Sequence, residues 1–555
     1  MRRIFLVMAL VLASSQMFAQ LSTLTEPISY KNSAVFSSLN AQLNVAEPSL
    51  DKAIAEDQVN DTSFYKPRHF GLVLNVKEDF FAHAQKFSNI DNGELYILKV
   101  KVPKAQALML YSNNFYIPVG AQLHIFNYDH TQSIGAFTSQ NNRKDLSFAS
   151  ELIYGDEMYI EYYKPYSVKE QAQIEITELG YAYRDCLKDY ADYAEYGSSG
   201  SCNVNVNCSE GDSTRKQQRG VMEIVLKLPN DYIGWCTGSL VNNTSRNLKG
   251  YVLTALHCIE DITSNTASYM NQFIFYFNFE SPGCTASTQP NCRTLTGCTE
   301  IMTGESSDCL LLLLNDTVPS SFNTYWNGWN TNTSALTSSG VGIHHPAGDI
   351  KKISTYTTTP QVTTYDSYGS GAHIKVNWVQ TTNGYGITEG GSSGSPLFNS
   401  NGLIIGTLTG GASACNVSAS SKYDYYGSMS YHWTTNGTAD NQRLKPWLDP
   451  LNLGVTQMVG DDYTTYSSLQ DVEKDNNIMV YPLPAKDYLN VSIQGMAQSA
   501  TIELLDINSK IVYSAKKNLK DSCCTINTKT LASGVYILRV LSQKGIWTKK
   551  IIISK

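Results

Sequence analysis

Three short stretches of this 555-residue chain each hold one reactive side chain at the end of an apolar run or in a glycine-rich turn. Tyr251-Val-Leu-Thr-Ala-Leu-His257-Cys258 offers an imidazole, Ser307-Asp308-Cys-Leu-Leu-Leu-Leu-Leu314 a carboxylate, and Gly390-Gly-Ser-Ser393-Gly-Ser-Pro396 a hydroxyl. An alcohol is a weak nucleophile at neutral pH and needs a base within hydrogen-bond reach. The base in turn needs a group that selects its tautomer and stabilises its charged form. Ser393 as nucleophile, His257 as base and Asp308 as orienter would together carry out acyl transfer. The backbone N–H groups of Gly391 and Ser393 would then meet the developing oxyanion, because Gly391 lacks a Cβ and can turn its amide inward. Each stretch alone also has a plainer reading: a Gly/Ser linker, a structural histidine, a strand-edge aspartate. Their order and the cysteines among them favour the catalytic one.

Such residues are useful only if rigid elements hold them, and the surrounding pattern is that of strands. From about Phe70 to Ile176, short alternating runs such as Leu95-Tyr-Ile-Leu-Lys-Val-Lys-Val102 predict a β-sandwich. Residues 20 to about 68 are polar with scattered apolar residues and read as a loosely ordered lead-in. Residues 197–460 carry all three stretches and also read as mostly β, with a short helix near Asp440 to Leu448. Residues 461–477 read as a linker. Residues 478–555 alternate β-branched and aromatic residues and predict about seven short strands. Met1 to Ala19 has a positive start at Arg2 and Arg3 and a short apolar core, the pattern of a secretory signal. No later segment is apolar enough to span a bilayer.

Net charge is −7 without a basic stripe, so nothing points to nucleic acid. Eight of the twelve cysteines fall between Cys202 and Cys309, so in an exported protein this region is expected to be heavily cross-linked. No HExxH or CxxC ligand set stands out, so neither metal nor organic cofactor is expected.

His…Asp…Ser is the chain order of the chymotrypsin-type triad. Cys236-Thr-Gly-Ser-Leu-Val-Asn-Asn243, Leu253-Thr-Ala-Leu-His257-Cys258, Thr388-Glu-Gly-Gly-Ser-Ser393-Gly-Ser-Pro396, Ile343-His-His-Pro346 and Trp447-Leu-Asp-Pro450 are similar to bacterial lysyl endopeptidases of the chymotrypsin-like class. The resemblance implies an all-β double barrel over residues 197–460, with His257, Asp308 and Ser393 as the triad. It implies that Asp424 receives the substrate's lysine, with arginine as a second candidate. It also implies the disulfides Cys202–Cys415, Cys208–Cys284 and Cys236–Cys258. Cys292 and Cys298 are left to pair locally, and Cys309 has no obvious partner. Residues 20–196 would be a propeptide, with a first cut near Lys188 or Arg184.

This chain departs from the family pattern in places. Thr409 and Tyr365 or Tyr368 stand where a histidine and a tryptophan flank the site. Leu256 replaces an alanine, and Ser392 precedes the nucleophile where many chymotrypsin-like enzymes place an aspartate. Tyr481-Pro-Leu-Pro-Ala485, Gly534-Val-Tyr536 and the final basic-apolar strand resemble the sorting domain of the type IX secretion system of Bacteroidetes, in the form of a small β-sandwich. That implies passage through the periplasm and across the outer membrane, so that the protein is secreted or held at the cell surface. The expected partners are peptide substrates and the secretion machinery, and the expected state is a monomer. Two rival expectations stay open: the same mechanism with a different pocket specificity, and an inactive adhesin built on the same fold.

Overall fold

The structure, a computed structural model, describes residues 25–61, 66–184, 186, 198–259, 261–264, 266–285, 292–332, 336–464, 478–493, 499–506, 511–518, 523–542 and 545–555. The expected signal segment, Lys188 and nearly all of the expected linker lie outside the described residues. The chain forms two compact units, residues 1–462 and 463–555.

The first unit begins with two stacked sheets. One pairs Gln42–Asn44, Gly93–Lys101, Glu157–Pro165, Gln122–Phe126 and Ser133–Phe137 side by side. The other contains Ala107–Ser112, Gln173–Ala182 and Arg68–Asp79. Alternate residues such as Leu98, Val100, Leu108, Leu110, Ile160 and Leu179 meet between them in one buried cluster, the sandwich that the period-2 pattern predicts. The lead-in is more ordered than expected. It contains the helix Asp51–Asn60. That helix has little apolar periodicity because polar contacts hold it. Buried Asp57 accepts from Tyr183 Oη at 2.9 Å and pairs with Arg184 at 2.9 Å.

The sandwich does not stop at the region that follows. Arg68–Asp79 pairs antiparallel with Tyr232–Leu240, with Leu72 opposite Tyr232, Gly71 opposite Ile233, His69 opposite Gly234 and Arg68 opposite Trp235. Phe70 stacks on Trp235 with centroids 3.8 Å apart. The two regions share an apolar core in which Phe70, Met109 and Tyr111 meet Val225, Ile233 and Ile274. Gln272 Nε2 donates to Ser112 O at 3.2 Å, Leu152 N donates to Tyr276 Oη at 3.0 Å, and Lys227 pairs with Glu178.

Residues 198–462 form two antiparallel strand systems. The first uses Val221–Lys227, Tyr232–Leu240, Tyr251–Thr254, Ile274–Phe277, Arg293–Thr296, Cys298–Gly304 and Cys309–Leu314. The second is built around Gly340–His344, Lys352–Tyr356, Pro396–Asn399, Ile404–Gly411, Tyr423–Ser428 and His373–Asn377. The expected helix near 440–448 appears as two short helical pieces, the 3₁₀ turn Asp440–Gln442 and the single α-turn Lys445–Leu448. Residues 478–555 contribute seven strands among the described residues, in sheets of three and four around Leu489, Ile502, Leu504, Leu538 and Ile551.

Disulfides join Cys202–Cys415, Cys208–Cys284 and Cys236–Cys258. The local Cys292–Cys298 pairing expected from the sequence is not formed. The strand Arg293–Thr296 lies between the two thiols. Four extended residues span roughly 13 Å, whereas a disulfide needs Cα atoms within about 7 Å. Cys298 Sγ donates instead to Met270 O at 3.8 Å. Cys309 is a buried, unbonded thiol.

Candidate active site

His257 sits in the tight turn Leu256–Cys258 directly after the strand Tyr251–Thr254. The Cys236–Cys258 bond ties that turn to the neighbouring strand. Cross-linking a loop of about this length contributes about 3 kcal/mol, which keeps the imidazole in place. Asp308 occupies the junction between Cys298–Gly304 and Cys309–Leu314 with φ +56°. Aspartate is among the few side chains that tolerate this left-handed conformation. The turn directs both carboxylate oxygens at one residue. His257 Nδ1–H donates to Oδ2 at 2.7 Å and His257 N to Oδ1 at 2.9 Å. Leu256 N adds a bond to Asp308 O at 3.3 Å. Both side chains are about 1% exposed. The pair is therefore dry and doubly bonded, and the tautomer is fixed with the free lone pair on Nε2.

Ser393 lies in the turn before Pro396–Asn399, pressed against the His257 segment. Its carbonyl accepts from Thr237 N at 2.8 Å. A Cβ on the following Gly394 would stand 2.6 Å from Ala255 N and 2.0 Å from Thr254 Oγ1. The Ser393 turn and the His257 turn thus pack side by side, and Nε2 makes no hydrogen bond among the described residues. Gly391 has φ +95°, and a Cβ there would come within 3.0 Å of Ala347 N and His345 O. Among the described residues the amides of Gly391 and Ser393 donate to no other group, so both are available to an anion.

Beside this turn is a cavity of about 320 Å³, lined by Ser393, Thr388, Gly410, Gly411, Ser413 and Asp424 among others. Asp424 is 1% exposed. Its Oδ2 accepts from Trp378 Nε1, from Thr388 Oγ1 at 2.8 Å and from Ser413 Oγ at 2.7 Å. Among the described residues its Oδ1 takes only the Ser413 amide, at 3.3 Å. Burial pushes the carboxyl above the usual aspartate range, and the bonds from Trp378, Ser413 and Thr388 pull it back. Oδ1 therefore keeps capacity for a cation. Gly411 leaves room beside it, since a Cβ there would lie 2.1 Å from that oxygen. Thr409 accepts or donates at 3.1 Å with His373 Nε2, and Tyr365 stacks on Tyr425 at 4.2 Å.

The N-terminal region closes over this cleft, which no local pattern in the sequence announces. Asn60, Asp61, Lys66 and Arg68 line the same cavity as Ser393 and Asp424. The Arg68 side chain packs on Gly390, whose Cβ would stand 3.1 Å from that of Arg68. Asp61 holds Arg184 in two bonds of 2.7 and 3.1 Å, and Lys66 pairs with Asp261 at 3.3 Å. Ser393 is left 9% exposed and His257 2% exposed.

An all-β chain with two antiparallel strand systems, one carrying a buried His–Asp pair and the other a serine turn packed beside it, has the chymotrypsin-like fold. Residues 196–427 match the family described as the lysyl endopeptidase C-terminal domain. Residues 479–554 match the secretion system C-terminal sorting domain. A lysyl endopeptidase from Pseudomonas aeruginosa is 31% identical over 317 residues, which is 54% of this chain and 66% of the relative's length. A solved protease from M. tuberculosis in its active form aligns with 42% of this chain and 88% of its own, at 14% identity and a TM-score of 0.27. The chain thus matches the two families over separate segments and spans just under two thirds of the length of the curated relative, and the sorting domain marks the chain for export to the cell surface or the medium.

Proposed function

We propose that this chain is a secreted serine endopeptidase that cleaves after lysine. The doubly bonded, buried His257–Asp308 pair packed beside the Ser393 turn supports this reading. Ser393 Oγ attacks the scissile carbonyl while His257 Nε2 takes its proton. The tetrahedral oxyanion is met by the N–H groups of Gly391 and Ser393. His257 then gives the proton to the leaving amine, and the acyl-enzyme is hydrolysed by the same steps with water as nucleophile. Throughout, Asp308 stabilises the imidazolium.

Asp424 at the floor of the cavity supports the lysine preference. A long cation reaching Oδ1 would replace an unpaired buried charge with a paired one. Leaving one partner of such a pair alone costs on the order of 3–5 kcal/mol. Asp424→Asn is therefore expected to lower kcat/KM for lysyl substrates between about a hundred- and a few thousand-fold. Digestion of a mixed peptide library reads this directly. An unchanged preference for lysine in the variant would mean that another group reads the side chain.

The covered cleft supports assigning residues 20–196 to a propeptide that keeps the enzyme latent, with the C-terminal unit engaging the secretion machinery. Arg184 is held by Asp57, Asp61 and the carbonyl of His69, so a first cut is better placed at Lys188. Labelling of Ser393 by a fluorophosphonate should be slower by about a hundred-fold in the uncut chain than after the N-terminal half has been cut and digested away, the factor for a cleft closed ~99% of the time. Equal labelling rates would remove the inhibitory role.

A further inference from the structure

We infer that His344 is a positioning residue that holds the nucleophile turn in its working shape through Ser392, in place of a charge pair. This inference rests on the peptidase reading above. Ser392 Oγ lies 2.8 Å from His344 Nδ1, and His344 Nε2 lies 3.0 Å from Ser354 Oγ. Ser354 Oγ donates to Ile387 O at 3.0 Å, and Glu389 N donates to Ser392 Oγ at 3.3 Å. Ser392, His344 and Ser354 are each 0% exposed.

These partners fix every proton. The Ser354 hydroxyl is committed to Ile387 O, so Ser354 Oγ must accept and His344 carries its proton on Nε2. Nδ1 is then the acceptor, and Ser392 donates to it. Burial, with a smaller effect from Lys352, pushes the imidazole down to about 3, so it stays neutral across the working range. The chain begins and ends on the turn 387–393 and is anchored in two paired strands, Gly340–His344 and Lys352–Tyr356. It therefore clamps both ends of the segment that presents the Gly391 and Ser393 amides.

A serine at position 392 cannot bind an ammonium group as an aspartate would. Here a neutral imidazole does the equivalent work and needs no new chain terminus. The turn is accordingly formed before any cleavage, and latency comes from coverage of the cleft alone. Nothing in the site has to be rebuilt when the N-terminal region leaves.

The test compares wild type, His344→Ala, Ser392→Ala, the double variant and His344→Gln, each expressed as the full chain and matured by limited proteolysis. A misplaced oxyanion donor costs on the order of a hundred-fold. On a lysyl ester, kcat should fall by about that factor in both single alanine variants. Affinity for a lysine-derived peptide aldehyde, whose adduct needs the amides, should fall in step. Affinity for a simple alkylammonium that enters only the Asp424 pocket should stay within about two-fold. The double variant should be no worse than His344→Ala, because one chain is broken in either case. His344→Gln, which can accept and donate in the same sense, should recover part of the loss. Equal losses of aldehyde and alkylammonium binding would reduce His344 to a packing residue, and unchanged kcat would overturn the inference while leaving the peptidase reading intact. An inactive, unlabelled wild type would overturn both.

Discussion

Ser393→Ala is expected to reduce turnover of a lysyl peptide or ester by about a million-fold. The substitution removes one oxygen and little else. The backbone carbonyl of residue 393 still accepts from Thr237 N. Gly391, with its φ of +95°, is unaffected, so both amides stay without another acceptor among the described residues. Asp424 keeps its four hydrogen bonds. Substrate should therefore bind with an almost unchanged KM, and thermal melting should hardly move. A residual rate about a thousand- to ten-thousand-fold above water is expected, because the amides and the binding pocket still favour the transition state. Active-site labelling by a fluorophosphonate should vanish. Labelling at another serine, or activity within ten-fold of wild type, would mean that the nucleophile lies elsewhere.

Asp308→Asn should cost about ten-thousand-fold in kcat, as it does when the orienting aspartate of a comparable triad is replaced. Asparagine suits the left-handed backbone at this position, so the turn should survive. Its amide oxygen can still accept from His257 N. Its NH2 group, however, would then point at Nδ1, which must become an acceptor. The imidazole proton moves to Nε2, the atom that has to take the proton of Ser393. Geometry is kept and the tautomer is lost. Asp308→Ala lacks both bonds and should lower the melting temperature as well. Steady-state kinetics beside a melting curve separate the two variants. A mild loss in Asp308→Asn with an intact fold would show that His257 is oriented by something else.

Each candidate side chain could be picked out because it ends a strongly patterned strand or opens one. Tyr251–Thr254 leads to His257, and Asp308 precedes five leucines. The strands of the N-terminal sandwich and of the C-terminal unit announced themselves by the same alternation. What escaped was long-range or polar. Arg68–Asp79 reads as one more strand, and nothing near it says that it will pair with residues some 160 positions later. The helix Asp51–Asn60 is held by ion pairs rather than an apolar stripe, so its sequence looked like loose chain. Cys292 and Cys298 are close in number, but the strand between them keeps them apart in space. Ile343-His-His-Pro346 was visible as a motif. Its use depends on which strand Ser354 joins, and that register is set by the folded barrel.

The sheet that runs from Arg68–Asp79 into Tyr232–Leu240 bears on timing. A cut anywhere between residues 186 and 198 breaks one covalent link and none of the ladder, the Phe70–Trp235 stack or the common core. The severed half would stay seated as a dissociable blocker, and turnover would lag behind the appearance of the nicked band on a gel. Digestion of that half would then set the clock, and the intact half, supplied separately, would silence a second molecule in trans.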